Sequence, residues 1–401
     1  MNPMVWLMTV IALSVGICRY LVGAIMRIQF PNIGVVKDYS YAPDISILLP
    51  AFNEGEAVYS TIKSISESEY AGKIEVIVTD DHSVDDTAEW IAKAATDFPH
   101  VRAFYNDPNQ GKTQTILNAL AESTCEVVMI VDSDTILGPT CIRELAACLG
   151  DKRLGAVGAP AIVRNANTNA LTTFQVFIYY LGFQLYKQVE CAHRKVGVIG
   201  GYAFMLRRKA FEELRPALEA RNWFGVKVKD GEDRFITHQL LMNGHGTYMD
   251  EDAVCLTSVP DTFTKYWAQQ VRWRRTTIRD LFFSIRRMPE HIEKLGAFSL
   301  YVYILTPVVL FISIIQVALM FVLDPLSWLQ PERVMILIVY AVVVFWIAKK
   351  FTPQQSVTNP LKVLAYSTWW IVNSLLLAPL ATLTLDADAW GNRDKKKKEK
   401  S

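Results

Sequence analysis

The chain has 401 residues, 51 % of them hydrophobic and 20 % charged, and its 41 Lys and Arg against 40 Asp and Glu give a formal net charge of +1. That apolar content excludes a disordered chain. The balanced charge excludes a nucleic-acid reader driven by bulk positive charge, so no nucleic-acid partner is expected. Six cysteines without a CxxC pair or framework spacing read as reduced residues, not as a disulfide scaffold or a zinc site.

Met4 to Met26 is almost wholly apolar, interrupted by Arg19. At a rise of about 1.5 Å per residue it can cross a hydrocarbon core about 30 Å thick. It has no Lys or Arg ahead of it and no A-x-A-like site behind it, so residues 1–28 read as an uncleaved anchor and not as a signal peptide.

From Ile45 onward strands and helices alternate. Strands are expected at Ile45–Leu49, Ile74–Thr79, Val101–Tyr105 and Val127–Val131. Helices are expected over 56–67, 85–96, Lys112–Glu122 and Pro139–Leu149. Continuous apolar strands in a βαβα order imply an α/β, Rossmann-like, mostly parallel sheet covered on both faces, here within residues 29–260. Such sheets bind ligands at the carboxyl ends of their strands. The residues there are acidic and polar: Ala51, Asn53 and Glu54 after the first strand, Asp80 and Asp81 after the second, and Asp132, Ser133 and Asp134 after the fourth. Asp132 and Asp134, one residue apart, can hold a hard cation, Mg2+ or Mn2+, against substrate phosphates. There is no Walker-type loop, but Lys112 at a helix start can meet a phosphate through its charge and the helix dipole.

Farther on, Gly231-Glu232-Asp233-Arg234 opens another helical stretch. Residues 261–294 combine aromatics and arginines and suit interfacial amphipathic helices, as does Leu171–Gln188. Three more apolar runs, Leu295–Leu323, Val334–Ala348 and Val363–Leu385, form an expected transmembrane region over 295–386. The arginines flanking the central domain place it on the cytoplasmic side, and the basic tail, 387–401, belongs there too. Three full crossings would put that tail outside, so one segment, the short Val334–Ala348 or the Pro379-containing run, is expected not to cross fully.

These residues together carry a recognisable pattern. The Asp80-Asp81 pair, Asp132-Ser133-Asp134, Gly231-Glu232-Asp233, Gln269-x-x-Arg272-Trp273 and Trp390-Gly391-Asn392-Arg393 resemble, in order and spacing, the processive family-2 glycosyltransferases of the hyaluronan synthase and chitin or chitooligosaccharide synthase type. The resemblance implies a GT-A catalytic domain at the cytoplasmic face of a plasma or inner membrane, within an integral membrane protein. It implies a UDP-sugar donor, with UDP-GlcNAc among the donors, a growing saccharide acceptor and its export.

In that family's terms Asp80 or Asp81 would contact uracil or ribose, with Glu54 nearby and Lys112 near the uracil or phosphates. Asp132 would approach the donor sugar and Asp134 the metal. Asp233, beside Glu232, would be the general base. Gln269, Arg272 and Trp273 would hold the diphosphate and the acceptor end, and Trp390 and Arg393 a loop over the donor. His82 stands where relatives often have Gly, and Glu232 makes the base motif resemble that of the chitin and chitooligosaccharide enzymes. Val198-Ile199-Gly200-Gly201 stands where relatives carry a Cys- or Ser-containing acceptor segment. Two other readings remain open at this stage: transfer of a single sugar to a lipid phosphate, and a transporter or inactive scaffold on the same fold.

Overall fold

The computed structural model describes residues 34–296 except 186 and 229, residues 360–386, and single positions at 25 and between 308 and 346. The chain divides into two compact units. One comprises Asn32–Asn165, Glu190–Val259 and Asp386–Ser401; the other comprises Met1–Pro31, Ala166–Val189 and Pro260–Leu385. The stretch Ala166–Val189 thus groups with the later part of the chain, although in sequence it interrupts the α/β region.

The α/β unit runs β1 (Ile45–Ala51), α1 (Ala57–Ser66), β2 (Ile74–Asp80), α2 (Thr87–Asp97), β3 (Val101–Tyr105), α3 (Lys112–Glu122) and β4 (Val127–Ile130). It continues through β5 (Ile136–Leu137), α4 (Cys141–Leu149), β6 (Leu154–Gly158), β7 (Ala161–Val163) and β8 (Phe204–Arg207). It ends with α5 (Arg208–Glu219), β9 (Asn222–Trp223), β10 (Val226–Lys227), α6 (Glu232–Met242), β11 (Gly246–Met249) and β12 (Cys255–Thr257).

The main sheet has the order β11-β6-β8-β4-β1-β2-β3. Its pairs are parallel except those of β8, which runs against both β4 and β6. The central strand β1 is buried at every residue, as a strand covered on both faces must be. Helix α1 buries Val58, Thr61, Ile62 and Ile65, spaced i, i+3, i+4, i+7, so one stripe of it packs while the rest stays polar. Each fully buried Ile or Leu of this core contributes roughly 1.5–3 kcal/mol relative to an exposed one. A smaller sheet, β5-β12-β7, lies beside it. Among the described residues the cysteines, Cys125, Cys141, Cys148, Cys191 and Cys255, are free, and all but Cys125 are buried.

An ion cluster closes this unit at the start of its described chain. The Lys37 ammonium lies 2.8 Å from Glu144 on α4, 2.9 Å from Asp250 just after β11, and 2.7 Å from Asp252. Burial pushes the Asp250 carboxyl up to about 6, with Lys37 opposing the rise. Desolvation works against the Lys37 ammonium, but its hydrogen bonds to Asp252 and Glu144 and the charge of Asp250 lift its pKa above the ordinary value.

The second unit is helical where it is described. Helix 170–179 begins with a capping box between Asn169 and Thr172, then widens into a π-helical segment, Tyr180–Leu185. The 24-residue helix Phe263–Arg286 is followed by Met288–Leu295, and Pro360–Leu383 is a further 24-residue helix. Val271 packs with Leu377 and Ala381, flanked by Trp267 and Ile278. Asn373 donates to the Tyr266 hydroxyl at 2.8 Å, and Arg279 donates to the Leu385 carbonyl at 2.6 and 3.0 Å.

Among the described residues no helix is long and apolar enough to cross a membrane. The expected spans Met4–Met26 and Leu295–Leu323 fall largely outside those residues, and the run Val334–Ala348 falls partly outside them. The tail motif with Trp390 and Arg393 falls wholly outside them.

Removing the ammonium while keeping its stem tests the clasp. Lys37→Met leaves the buried Asp250 without its cation, while Glu144 keeps Arg143 at 3.0 Å, and should lower stability by about 3 kcal/mol. The readout is the midpoint of thermal unfolding of the purified chain; an unchanged midpoint would mean that Lys37 is not the counter-ion of Asp250.

Candidate active site

Parallel strands deliver their following loops to one edge, and β1, β2 and β4 do this at Ala51, Asp80 and Ile130. Because β8 runs the other way, the loop that enters it, with Gly200 and Gly201, reaches the same edge; Phe204 pairs with Ile130. Helix α6 starts after Gly231, whose φ of +68° is the left-handed conformation that glycine adopts freely.

At the end of β1, Ala51 is fully buried. Asn53 adopts φ +54° and His82 φ +64°. Asn tolerates that region better than most residues, whereas His at φ > 0 carries strain of roughly 1 kcal/mol. The glycine usual at this place in the resembling enzymes has a physical reason, and His82 does without it. The two turns are laced together: the Asn53 N–H donates to Ser83 Oγ at 2.9 Å, and the Val84 N–H donates to Asn53 Oδ1 at 2.9 Å. Ser83 also donates to Asp80 through its hydroxyl. Burial raises the Asp80 pKa, the Ser83 bonds opposing it. The Ser133 hydroxyl donates to Glu54 Oε1 at 3.0 Å, tying the ends of β4 and β1.

Asp81 is completely buried. Its carboxylate accepts from the backbone N–H of Gln110 and of Gly111, both at 2.8 Å, and from Asn106 Nδ2 at 2.9 Å. Asn109 Nδ2 donates to the Asp81 carbonyl at 2.7 Å. In this structure Asp81 therefore fixes the loop that leads directly into Lys112, the first residue of α3. Sequence reading lists Asp81 only as a donor contact; the polar run Asn109-Gln110-Gly111 was the available sign that a buried carboxylate would anchor a tight loop.

Lys112 ties two acids together. Its ammonium is 2.7 Å from Asp132 Oδ1 and 2.7 Å from Glu232 Oε1. Desolvation disfavours the ammonium, yet the charges of Asp132, Glu232 and Asp233 hold it protonated, above its ordinary range. Asp233 is next along α6; its Oδ1 accepts from the Arg234 N–H at 2.7 Å and its Oδ2 from the Gly201 N–H at 3.4 Å. Burial, then the neighbouring Glu232 charge, raises the Asp233 pKa, against the pull of Lys112. Its side chain keeps some accessible surface although protein surrounds it closely. That is the environment of a carboxylate with base strength above the ordinary and reach to an incoming hydroxyl.

Gly201, absent from the expected site residues, belongs here. A Cβ on it would sit 3.1 Å from Lys112 Nζ and 3.4 Å from Asp132 Oδ1, so the cluster closes directly onto backbone. The Gly200-Gly201 pair just ahead of a strand was its sequence signal.

The oxygen donors of Asp132 and Asp134 are of the type that Mg2+ or Mn2+ takes. Among the described residues the group of three acids close enough to share one ion is Glu144, Asp250 and Asp252. Lys37 already serves that group as its cation.

Gln269, Arg272 and Trp273 lie on helix 263–286 of the helical unit. There the Trp273 ring meets Tyr179 at 6.0 Å and, edge-on, Phe183 at 6.2 Å. Gln269 Oε1 is buried with no hydrogen-bond partner among the described residues, an acceptor suited to a ligand donor. The structure gathers Asp132, Glu232, Asp233, Lys112, Ser133 and Glu54 within the α/β unit.

Comparison with known proteins gives this geometry a context. Residues 46–215 match the family model for "Glycosyl transferase family 2". An N-acetylglucosaminyltransferase of Bradyrhizobium diazoefficiens is 31 % identical over 250 residues, 62 % of this chain, and the chain spans about half, 52 %, of that relative's length. An N-acetylglucosaminyltransferase of Rhizobium sp. (strain N33) is 29 % identical over 357 residues, 88 % of this chain and 77 % of its own. The solved structure of the mannosyltransferase PcManGT from Pyrobaculum calidifontis, in complex with GDP-Man and Mn2+, aligns with a TM-score of 0.64 at 20 % identity, covering 94 % of this chain and 99 % of that one. That likeness is one of fold. Over residues 46–215 the chain is thus similar to the family 2 glycosyltransferases, and its α/β unit has the GT-A fold.

Proposed function

We propose that the chain is a membrane-embedded, divalent-cation-dependent, inverting glycosyltransferase. It takes N-acetylglucosamine from UDP-GlcNAc and extends a saccharide chain processively, exporting the product. The observation that carries the reading is the Lys112–Asp132–Glu232 cluster with Asp233 beside it at the carboxyl edge of the sheet. The curated relatives described above are named for N-acetylglucosamine transfer, which favours that sugar. The Gln269-x-x-Arg272-Trp273 block favours processive extension over a single transfer, and the apolar runs at both ends of the sequence favour a membrane setting.

In this reading Asp233 takes the proton from the acceptor hydroxyl as that oxygen attacks the anomeric carbon, from the face opposite the departing UDP. A carboxylate whose pKa is raised is a stronger base than a surface one. A divalent cation at Asp132 and Asp134 would supply charge for the departing diphosphate. Lys112 adds positive charge beside Asp132.

The test offers the purified protein UDP-GlcNAc, UDP-GlcA and UDP-Glc, singly and in pairs, with UDP release and product size followed. UDP-GlcNAc alone should support release that stops when the divalent cation is chelated, with products longer than one added sugar. A product extended by one unit only selects the single-transfer reading, and no release from UDP-GlcNAc refutes the proposed donor. Asp233→Asn should lower turnover about 10²- to 10⁴-fold while leaving UDP binding intact. Turnover in the wild-type chain should fall as pH drops through the raised Asp233 pKa, at a higher pH than an ordinary carboxylate sets. An acid limb at or below the usual aspartate range would remove Asp233 from the role of base.

A further inference from the structure

Lys112 joins the two halves of the acid set. Asp132 follows β4 and Glu232 opens α6, and one ammonium touches both at 2.7 Å, with 15 % of its side chain exposed. The ammonium is on Asp132 Oδ1, so a divalent cation drawn to Asp132 and Asp134 would share that carboxylate with it. A monovalent and a divalent cation on one partly buried carboxylate repel strongly. Lys112 also roots at the first turn of α3, directly after Gly111, where the positive end of the helix dipole attracts anions. An arriving diphosphate would offer the ammonium more negative charge than Asp132 does. Gly201 closes the cluster on one side, since a Cβ there would lie 3.1 Å from the ammonium.

We propose that Lys112 gates cation loading. It neutralises Asp132 and Glu232 until a nucleoside diphosphate draws it off Asp132, and the divalent cation binds only then. This rests on the donor reading above and adds an order of binding to it.

The experiment is equilibrium dialysis of Mn2+ against the purified full chain, without UDP and with saturating UDP on both sides of the membrane. Wild-type protein should retain Mn2+ at least about tenfold more tightly with UDP. Lys112→Met should raise the nucleotide-free affinity by about tenfold or more, closing most of the gap, while Lys112→Arg should preserve it. Equal affinity with and without UDP in the wild-type chain overturns the gate and needs no variant. An unchanged nucleotide-free affinity in a Lys112→Met chain with wild-type circular dichroism overturns it as well. In both of those cases the donor reading survives if Mn2+ and UDP still bind. Failure to retain Mn2+ even with UDP overturns the gate and the cation-dependent reading together.

Discussion

Strands that run the same way end on the same side, and this constraint organises the α/β unit. β1, β2 and β4 are parallel, so the loops after Ala51, Asp80 and Ile130 open on one edge although up to 79 residues separate the groups they join, as between Glu54 and Ser133. The single reversed strand, β8, supplies from the opposite direction the glycine against which the charged groups close. With Lys112 the net result is a cluster in which three acids and one base lie close together in a partly dry setting. Such a group is stable only when its charges are mutually satisfied.

That arrangement is held at a local cost. Asn53 and His82 adopt left-handed backbone angles immediately after two strands. These bends re-aim the chain and let Ser83 and Asn53 lace the two loops together. Sites of this kind concentrate strain because the surrounding hydrogen bonds over-determine them. The buried Asp81 works in the same direction: a carboxylate with three donors keeps the Gln110–Gly111 turn rigid, and so fixes where the Lys112 side chain starts.

The strands and helices of the first half were legible because their apolar runs are long and periodic. β3 and α3 occupy the residues that the pattern indicates, Val101–Tyr105 and Lys112–Glu122, and the other early elements differ by one or two positions at their ends. The strand-end rule also pointed to Asp132, Glu54 and Asp80 before any fold was known. What the pattern could not carry was pairing at long range. β5, β7 and β12 are two or three residues each, too short for a period to register. The contact of Lys112 with Glu232 depends on where α6 begins relative to α3, which no local spacing encodes. Nor does composition reveal that Asp80 and Asp81 are both buried, one tied to a serine and the other to the Gln110–Gly111 turn. The grouping of Ala166–Val189 with the later helices was hidden for the same reason: its aromatic content marks a face but not the partner.

The Lys37 clasp has a consequence for the order in which this polypeptide matures. Its partners stand 107 and 215 positions downstream, at Glu144 and Asp252. During synthesis the lysine leaves the ribosome long before the acids that complete its environment, and α4 presents Glu144 well ahead of the last pair. A nascent chain halted before residue 250 therefore holds an incomplete latch. The segment ahead of β1 is first held by α4, through the Asp38 N–H on the Ala147 carbonyl and Tyr39 on Glu144, and its ion cluster is completed only when Asp250 and Asp252 have been made.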